Sequence, residues 1–232
     1  MTWIRYLSYF LAVAFVTWAL TQLEMTFPGS LKLHVVLNET DRFGTSEFSP
    51  VENIQAIILG ACCFIMGWVA KHCPSQQPIA IPCGGFALVF LIRELDYFLD
   101  TIVADNVWQI LIVVVGSLGI AYTWRHQKRL QIALARIWPS PGLTLLFAGG
   151  VILFAFVRFV GHEPFWMSIL GDSYERIVKL AVEEFIELLG YFLWIIGTIE
   201  YALQARAIAY RTPQPVARRL RDKRRADSEG RF

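Results

Sequence analysis

Charged residues are scarce in this sequence. Only 17% of its 232 residues are Asp, Glu, Lys or Arg, and 56% are hydrophobic, whereas soluble proteins average about 25% charged residues. This composition excludes a large soluble domain. Five stretches lack all four charged residue types for about the length with which a helix crosses the ~30 Å hydrocarbon core of a bilayer. They are residues 6–23, 53–70, 74–92, 107–124 and 137–157.

Histidine and cysteine are also few, with four of each. The sequence has no HExxH pair, phosphate loop or nucleophile elbow and no histidine-rich hydroxylase pattern. No two cysteines form a CxxC pair, and the topology below places all four in the inner half of the membrane or on the cytoplasmic side, where thiols stay reduced. These absences exclude a multi-histidine zinc or di-iron enzyme and a disulfide framework. The cysteines are interpreted as small apolar packing residues.

A sixth, shorter apolar run at 188–199 completes the pattern of an all-α polytopic membrane protein, a six-transmembrane-helix bundle. With six spans, most cationic loop segments fall on one side of the membrane and most acidic loop residues fall on the other. Because short positively charged loops face the cytoplasm, we predict an inner (plasma) membrane protein with cytoplasmic N- and C-termini. The predicted spans are approximately 4–23, 52–70, 78–97, 107–124, 140–160 and 181–203.

One membrane domain, residues 1–210, is predicted to contain nearly all of the chain. The longest external segment, 24–50, is predicted to form a short extracytoplasmic loop subdomain, and the alternation of apolar and polar residues at 31–35 indicates a short strand. Residues 211–232 form a basic tail that is predicted to be disordered and to contact anionic lipid at the cytoplasmic surface. The tail lacks the interleaved aromatic residues of nucleic-acid binders, so the expected partner is the lipid bilayer and not a nucleic acid.

The sixth span has the most informative charges. Its uncharged run is too short for a crossing of about 20 residues, so Glu187, Glu200 or both must be buried at some depth. Carboxylates inside a membrane are costly and usually pair with another group in the bundle interior. Glu200 lies toward the inner leaflet, where we expect it to reach Arg206 or the cytoplasmic interface.

Side chains from four helices are predicted to meet at one level in the outer leaflet. Glu184, Glu187 and Tyr191 share one face of span six because they are spaced at i, i+3 and i+7. Spans two, three and five bring acids, arginines and an amide to the same level. The candidate ligand-binding residues are Glu52, Gln55, Arg93, Glu94, Arg158, Glu184, Glu187 and Tyr191.

Three interpretations of this outward-facing carboxylate and arginine cluster are compatible with the sequence. The first is binding or transport of a cation, a proton or a polar lipid headgroup. The second is a metal-dependent membrane-embedded enzyme that acts on a lipid or its headgroup. The third is a non-catalytic membrane partner protein in which the charges form a structural ion-pair network.

A divalent cation is the candidate cofactor, because carboxylate oxygens bind hard ions such as Ca²⁺ and Mg²⁺ and also accept Mn²⁺. His162, in the loop after the fifth span, is a candidate nitrogen ligand. The candidate metal ligands on the helices are Glu52, Glu94, Glu184 and Glu187.

Overall fold

The computed structural model describes residues 2–31 and 49–211. Helices contain 88% of these residues, and there is no strand among them. The predicted all-α class is therefore confirmed for this part of the chain. The predicted strand at 31–35, most of the predicted loop subdomain and the tail from residue 212 onward lie outside the described residues.

Several helices are long and apolar enough to cross a membrane, as a multi-pass membrane protein requires. A fifth candidate is bent by 63° where one helix ends at Glu94 and the next begins at Asp96. The bent pair comprises α3 (Gln77–Glu94) and α4 (Asp96–Ile102). The four unbent candidates are α1 (Thr2–Thr26), α2 (Pro50–His72), α5 (Val107–Arg125) and the segment Pro141–Val160. The predicted span 78–97 covers most of α3 and reaches past the bend into the start of α4.

The remaining helices complete the chain order. The segment Pro141–Val160 consists of α7 (Pro141–Val151), a π-helical stretch (Ile152–Phe156) and α8 (Val157–Val160). α10 has 36 residues, about 54 Å at 1.5 Å per residue, and extends beyond the predicted span 181–203 at both ends. The others are α6 (Gln127–Ile137), α9 (Glu163–Leu170) and α10 (Arg176–Arg211).

The start of α2 is fixed by its own sequence. The Ser49 hydroxyl accepts a hydrogen bond from the Glu52 N–H at 3.0 Å, and the Glu52 carboxylate accepts one from the Ser49 N–H at 3.3 Å. The two hydrogen bonds form a capping box, with Pro50 in the first turn. The carboxylate of Glu52 is thereby held at the end of the bundle where α3 finishes.

α10 is the central helix of the bundle and packs against α2, α7 and the π-helical stretch. Its closest neighbour is α7, and glycines make that approach possible. A β-carbon added at Gly149 of α7 would lie 2.9 Å from the carbonyl oxygen of Gly190 on α10. Small residues allow helix backbones to approach this closely in a membrane, where dispersion contacts stabilise helix association.

α1 lies at the side of the bundle, and two kinds of contact attach it to α10. Leu20 of α1 packs with Leu188 and other apolar residues of α10. Glu200, only 2% exposed, accepts hydrogen bonds from Arg5 at 2.8 Å and from the Tyr9 hydroxyl at 2.9 Å.

Glu200 is thus buried, and it does not pair with Arg206, which was one of the two alternatives expected for it. Arg206 instead donates a hydrogen bond to the Tyr210 hydroxyl at 3.4 Å. The reason is helical geometry, because a residue six positions further along α10 projects from a different face. The ion-pair partner, Arg5, comes from the other end of the chain.

Candidate functional site

Arg93, near the end of α3, forms an ion pair with Glu187 of α10. The distance from Arg93 Nη2 to Glu187 Oε1 is 2.6 Å, and the side chains are 35% and 2% exposed respectively. The prediction that Glu187 is buried and paired is therefore confirmed. Arg93 makes its hydrogen bond to Glu187 through one terminal nitrogen of the guanidinium group. The Arg93 side chain also lines a cavity.

Three further hydrogen bonds place acidic groups beside this ion pair. The Tyr191 hydroxyl donates to Glu94 Oε1 at 2.7 Å. Gln55 Nε2 donates to both the side-chain and main-chain oxygens of Glu184, at 3.2 Å each. The Gln55 side chain is fully buried, and its Oε1 atom has no hydrogen-bond partner in the described part of the chain.

The structure brings seven of the eight predicted site residues together at one end of the bundle. Glu52 lies within electrostatic range of Glu94 and Glu184, although its carboxylate also caps α2. We call this group the acid cluster. It comprises Glu52, Gln55, Arg93, Glu94, Glu184, Glu187 and Tyr191.

The acid cluster does not have the geometry of the predicted metal site. Among residues 2–31 and 49–211, no three His, Cys, Asp or Glu side chains are close enough to hold a metal ion. Each of the hydrogen-bonded acids instead has a donor of its own. His162, the predicted nitrogen ligand, is exposed at the start of α9. The geometry gives no support to a metal at Glu52, Glu94, Glu184 and Glu187.

Arg158 is the eighth predicted residue, and it lies apart from the hydrogen-bonded cluster. Its side chain is exposed, and within the described ranges no hydrogen bond or ion pair engages it. It interacts with Glu187 only through longer-range electrostatics. Arg158 and Arg93 line the same cavity, so the structure places two arginines at one opening.

A cavity of about 970 Å³ extends from these arginines along the bundle. α3 forms its floor and α5 forms one wall, whereas Phe154 and Arg158 form the other wall. The lining residues on α5 run from Trp108 to Trp124, a length of about 24 Å. Phe154 and Trp124 are 61% and 77% exposed, so the cavity is a groove that opens toward the surrounding lipid.

One end of the groove is charged, and the rest of its lining is mostly apolar. Its charged lining residues are Arg93, Asp96 and Arg158, which all lie where α3 ends, beside the acid cluster. Trp108 lies at the same end. The lining between the two ends is apolar, and the far end has only the neutral polar side chains of Thr123 and Gln127. One end is thus suited to a charged group and the remainder to a hydrocarbon chain.

A second cavity of about 590 Å³ lies between α3 and α7. It shares Pro82, Phe86 and Phe154 with the groove, so the two spaces adjoin there. Its lining contains no charged residue, and on α7 and the π-helical stretch it extends from Leu143 to Ala155. We call it the side pocket.

The groove is what the sequence analysis missed. Its α5 wall includes Gly116 and Gly119, which are open enough that an added β-carbon would meet no heavy atom within 4 Å. α5 is as apolar as a helix surrounded by lipid, and none of its residues is buried. Composition therefore gave no signal that distinguishes the groove-facing side of α5 from its lipid-facing side.

Comparison with protein-family models, curated proteins and solved structures finds no match for this chain. The chemistry of the site is therefore inferred from its own residues.

Proposed function

We propose that this protein spans the plasma membrane six times and binds an amphipathic lipid, with the headgroup at Arg93 and Arg158 and the chain in the groove. In this topology α3 with α4 is the third span, α10 is the sixth span, and both termini are cytoplasmic. The arginine end of the groove then lies in the outer leaflet.

The length of buried surface on α10 supports its assignment as the sixth span. Buried residues on this helix extend from Glu187 to Ala205, about 27 Å along the axis, close to the thickness of the hydrocarbon core. The charged residues near its two ends have partners: Glu187 pairs with Arg93, and Glu200 pairs with Arg5. Pairing offsets much of the cost of placing charge in the membrane.

The binding proposal rests on Arg158, which lies at the charged end of the groove. Arginine binds phosphate through a planar fork of N–H donors, and Arg158 has no hydrogen-bond partner among the residues described. An exposed arginine beside an apolar groove is complementary to a lipid. The arginine binds the charged headgroup, and the groove holds the hydrocarbon chain joined to it. Trp108 at the same end suits the membrane interface, where tryptophan is enriched.

The acid cluster has a supporting role in this proposal. Glu187 holds one guanidinium nitrogen of Arg93, and Tyr191 holds the adjacent Glu94. Asp96 also lines the groove, but its Oδ1 atom already accepts a hydrogen bond from the Tyr97 N–H at 2.6 Å. The hydrogen bond from Arg93 to Glu187 restricts the position of Arg93 before any ligand arrives, which lowers the ordering cost of binding.

A second candidate function is the binding of a proton or a monovalent cation within the acid cluster. It is favoured by Gln55 Oε1, a buried acceptor with no donor among the residues that the structure describes, because such groups normally have a partner. This candidate predicts that sodium salts or a change of pH shift the melting temperature of the wild type more than that of Gln55→Leu. Equal shifts in both proteins would remove it.

Lipid binding is tested by purifying the full-length protein in mild detergent and measuring phosphorus in the lipid extracted from it. We expect about stoichiometric lipid phosphate in the wild type. Arg158→Gln is expected to weaken binding of a phosphate-containing lipid about tenfold or more, since a hydrogen bond to a charged group contributes about 1.5–3 kcal/mol.

The matched control is Arg176→Gln, because Arg176 is exposed but does not line the groove. Equal lipid binding by wild type and Arg158→Gln would contradict the proposal. Elemental analysis of the same samples, including Glu94→Gln, tests the metal alternative independently, because stoichiometric metal lost in that variant would favour a cation site.

A further inference from the structure

The length of the groove, the position of its charged end and the position of the side pocket together restrict the kind of lipid that fits. We infer that the ligand is a single-chain lipid phosphate whose chain is longer than one leaflet, of the polyprenyl phosphate class. This inference rests on the proposed lipid binding and specifies its substrate class. A diacyl phospholipid is the alternative that the structure disfavours.

The length of the groove is the first argument. α5 has 19 residues, about 28 Å, which nearly equals the ~30 Å hydrocarbon core. Its middle residue, Gly116, therefore lies near the bilayer midplane. The groove continues past Gly116 as far as Trp124, so it extends well into the opposite leaflet. A chain confined to one leaflet, about 15 Å deep, would fill little more than half of it.

The position of the charged end is the second argument. The charged lining residues Arg93, Asp96 and Arg158 are confined to one end. A headgroup bound there directs its chain along the apolar length toward Thr123 and Trp124. The apolar middle makes passage of a charged headgroup costly. The groove is therefore better suited to binding one amphiphile with a long tail than to moving headgroups across the membrane.

The side pocket is the third argument. It adjoins the groove at Pro82, Phe86 and Phe154, near the middle of the proposed spans, and extends from there along α7 as far as Leu143 in the inner half. Neither Arg93 nor Arg158 lines the side pocket. The second chain of a diacyl lipid starts at the headgroup and has no separate route into this space. A single long chain can occupy the groove and turn into the side pocket below Phe154.

The glycines of α5 allow a direct test of the chain path. Gly119 lies one turn beyond Gly116 on the far side of the midplane, and a β-carbon there meets no heavy atom within 4 Å. Gly119→Leu should therefore fill the inner half of the groove without disturbing helix packing. Gly60→Leu is the matched control, because Gly60 on α2 is equally open and does not line the groove.

The experiment measures binding of three probes to the full-length protein in detergent: undecaprenyl phosphate, farnesyl phosphate and phosphatidylglycerol. We expect undecaprenyl phosphate to bind about tenfold or more tightly than farnesyl phosphate, because more of its chain is buried. Gly119→Leu should abolish this difference and leave farnesyl phosphate binding unchanged. Gly60→Leu should bind all probes as the wild type does.

These binding measurements distinguish failure of the inference about the lipid class from failure of the proposed lipid binding. Equal binding of the long and short polyprenyl phosphates, or phosphatidylglycerol binding more tightly than undecaprenyl phosphate, would overturn the inference while leaving lipid binding intact. If Gly119→Leu folds and still prefers the long chain, the proposed path is wrong. Binding of none of the three probes would instead contradict the proposed function itself. If Gly119→Leu fails to fold, the comparison of the three probes in the wild type still decides the inference.

Discussion

The backbones of Gly142 and Gly197 are in reciprocal contact. A β-carbon added at either glycine would lie 2.9 Å from the carbonyl oxygen of the other. A β-carbon added at Gly149 would lie at the same 2.9 Å from the carbonyl oxygen of Gly190, seven residues away on both helices. Seven residues are close to two helical turns, so the same sides of α7 and α10 meet twice. This contact fixes the position of α7 and, through it, the wall of the groove formed by Phe154 and Arg158.

Gly197→Ala should destabilise the protein, because the new methyl group meets backbone atoms that cannot move independently. Overpacking of this kind typically costs about 1–3 kcal/mol. The measurement is the melting temperature in detergent. Gly67→Ala is the control, since Gly67 is open in the structure and alanine favours the helix by about 1 kcal/mol. Equal melting temperatures for the two variants would mean that the α7 and α10 contact is looser than described.

Arg93→Met should destabilise the protein by leaving the buried carboxylate of Glu187 without its cation. Removal of one partner from a buried pair typically costs about 3–5 kcal/mol, and the lower value is expected here because Arg93 is 35% exposed. The double variant Arg93→Met, Glu187→Leu should recover most of the loss, since no unpaired charge then remains. A double variant less stable than Arg93→Met would show that Glu187 has another stabilising partner.

Arg5→Gln should loosen α1 from the bundle, because Glu200 is buried and Arg5 provides its ion pair. Since α1 is otherwise mostly exposed to lipid, we expect faster proteolysis of α1 in detergent and a lower melting temperature. Arg206→Gln is the control, because Arg206 contacts the exposed Tyr210 at the edge of the bundle and does not pair with Glu200. Identical proteolysis of the two variants would indicate that apolar packing alone holds α1.

The six-span topology predicts which exposed positions a membrane-impermeant thiol reagent can reach in intact cells. In a variant without the four native cysteines, Asp105→Cys and Asp172→Cys should be labelled, whereas Lys128→Cys should be labelled only after the cells are permeabilised. All three positions are exposed in the structure. Labelling of Lys128→Cys in intact cells would invert or change the proposed topology.

The part of the site that could be predicted from sequence is the part set by local rules. The short uncharged run at 188–199 required that Glu187, Glu200 or both be buried, and the spacing of Glu184, Glu187 and Tyr191 predicted a shared face of α10. Both follow from distances along a single helix. The pairing of Glu187 with Arg93, rather than with another cation, could not be deduced, because it depends on how two helices distant in sequence are rotated against each other.

The metal hypothesis also depended on helix packing that the sequence does not give. A count of carboxylates at one membrane level suggested a shared ion, but each hydrogen-bonded acid has its own donor in the structure. The sequence contains Gln55 and Tyr191 as well as the acids, yet their directions depend on tertiary packing. Hydrogen-bond partners over more than 90 residues of chain cannot be assigned from helical periodicity alone.

The sequence by itself determined the all-helical class and the membrane location, because apolar run length and charge spacing act through the thickness of the bilayer. It also determined that carboxylates had to be buried in α10. Only the tertiary structure decided which cations pair with them, and only it produced the groove. The groove exists because α5 packs on α3 with glycines facing open space, an arrangement of two helix surfaces that the composition of neither helix specifies.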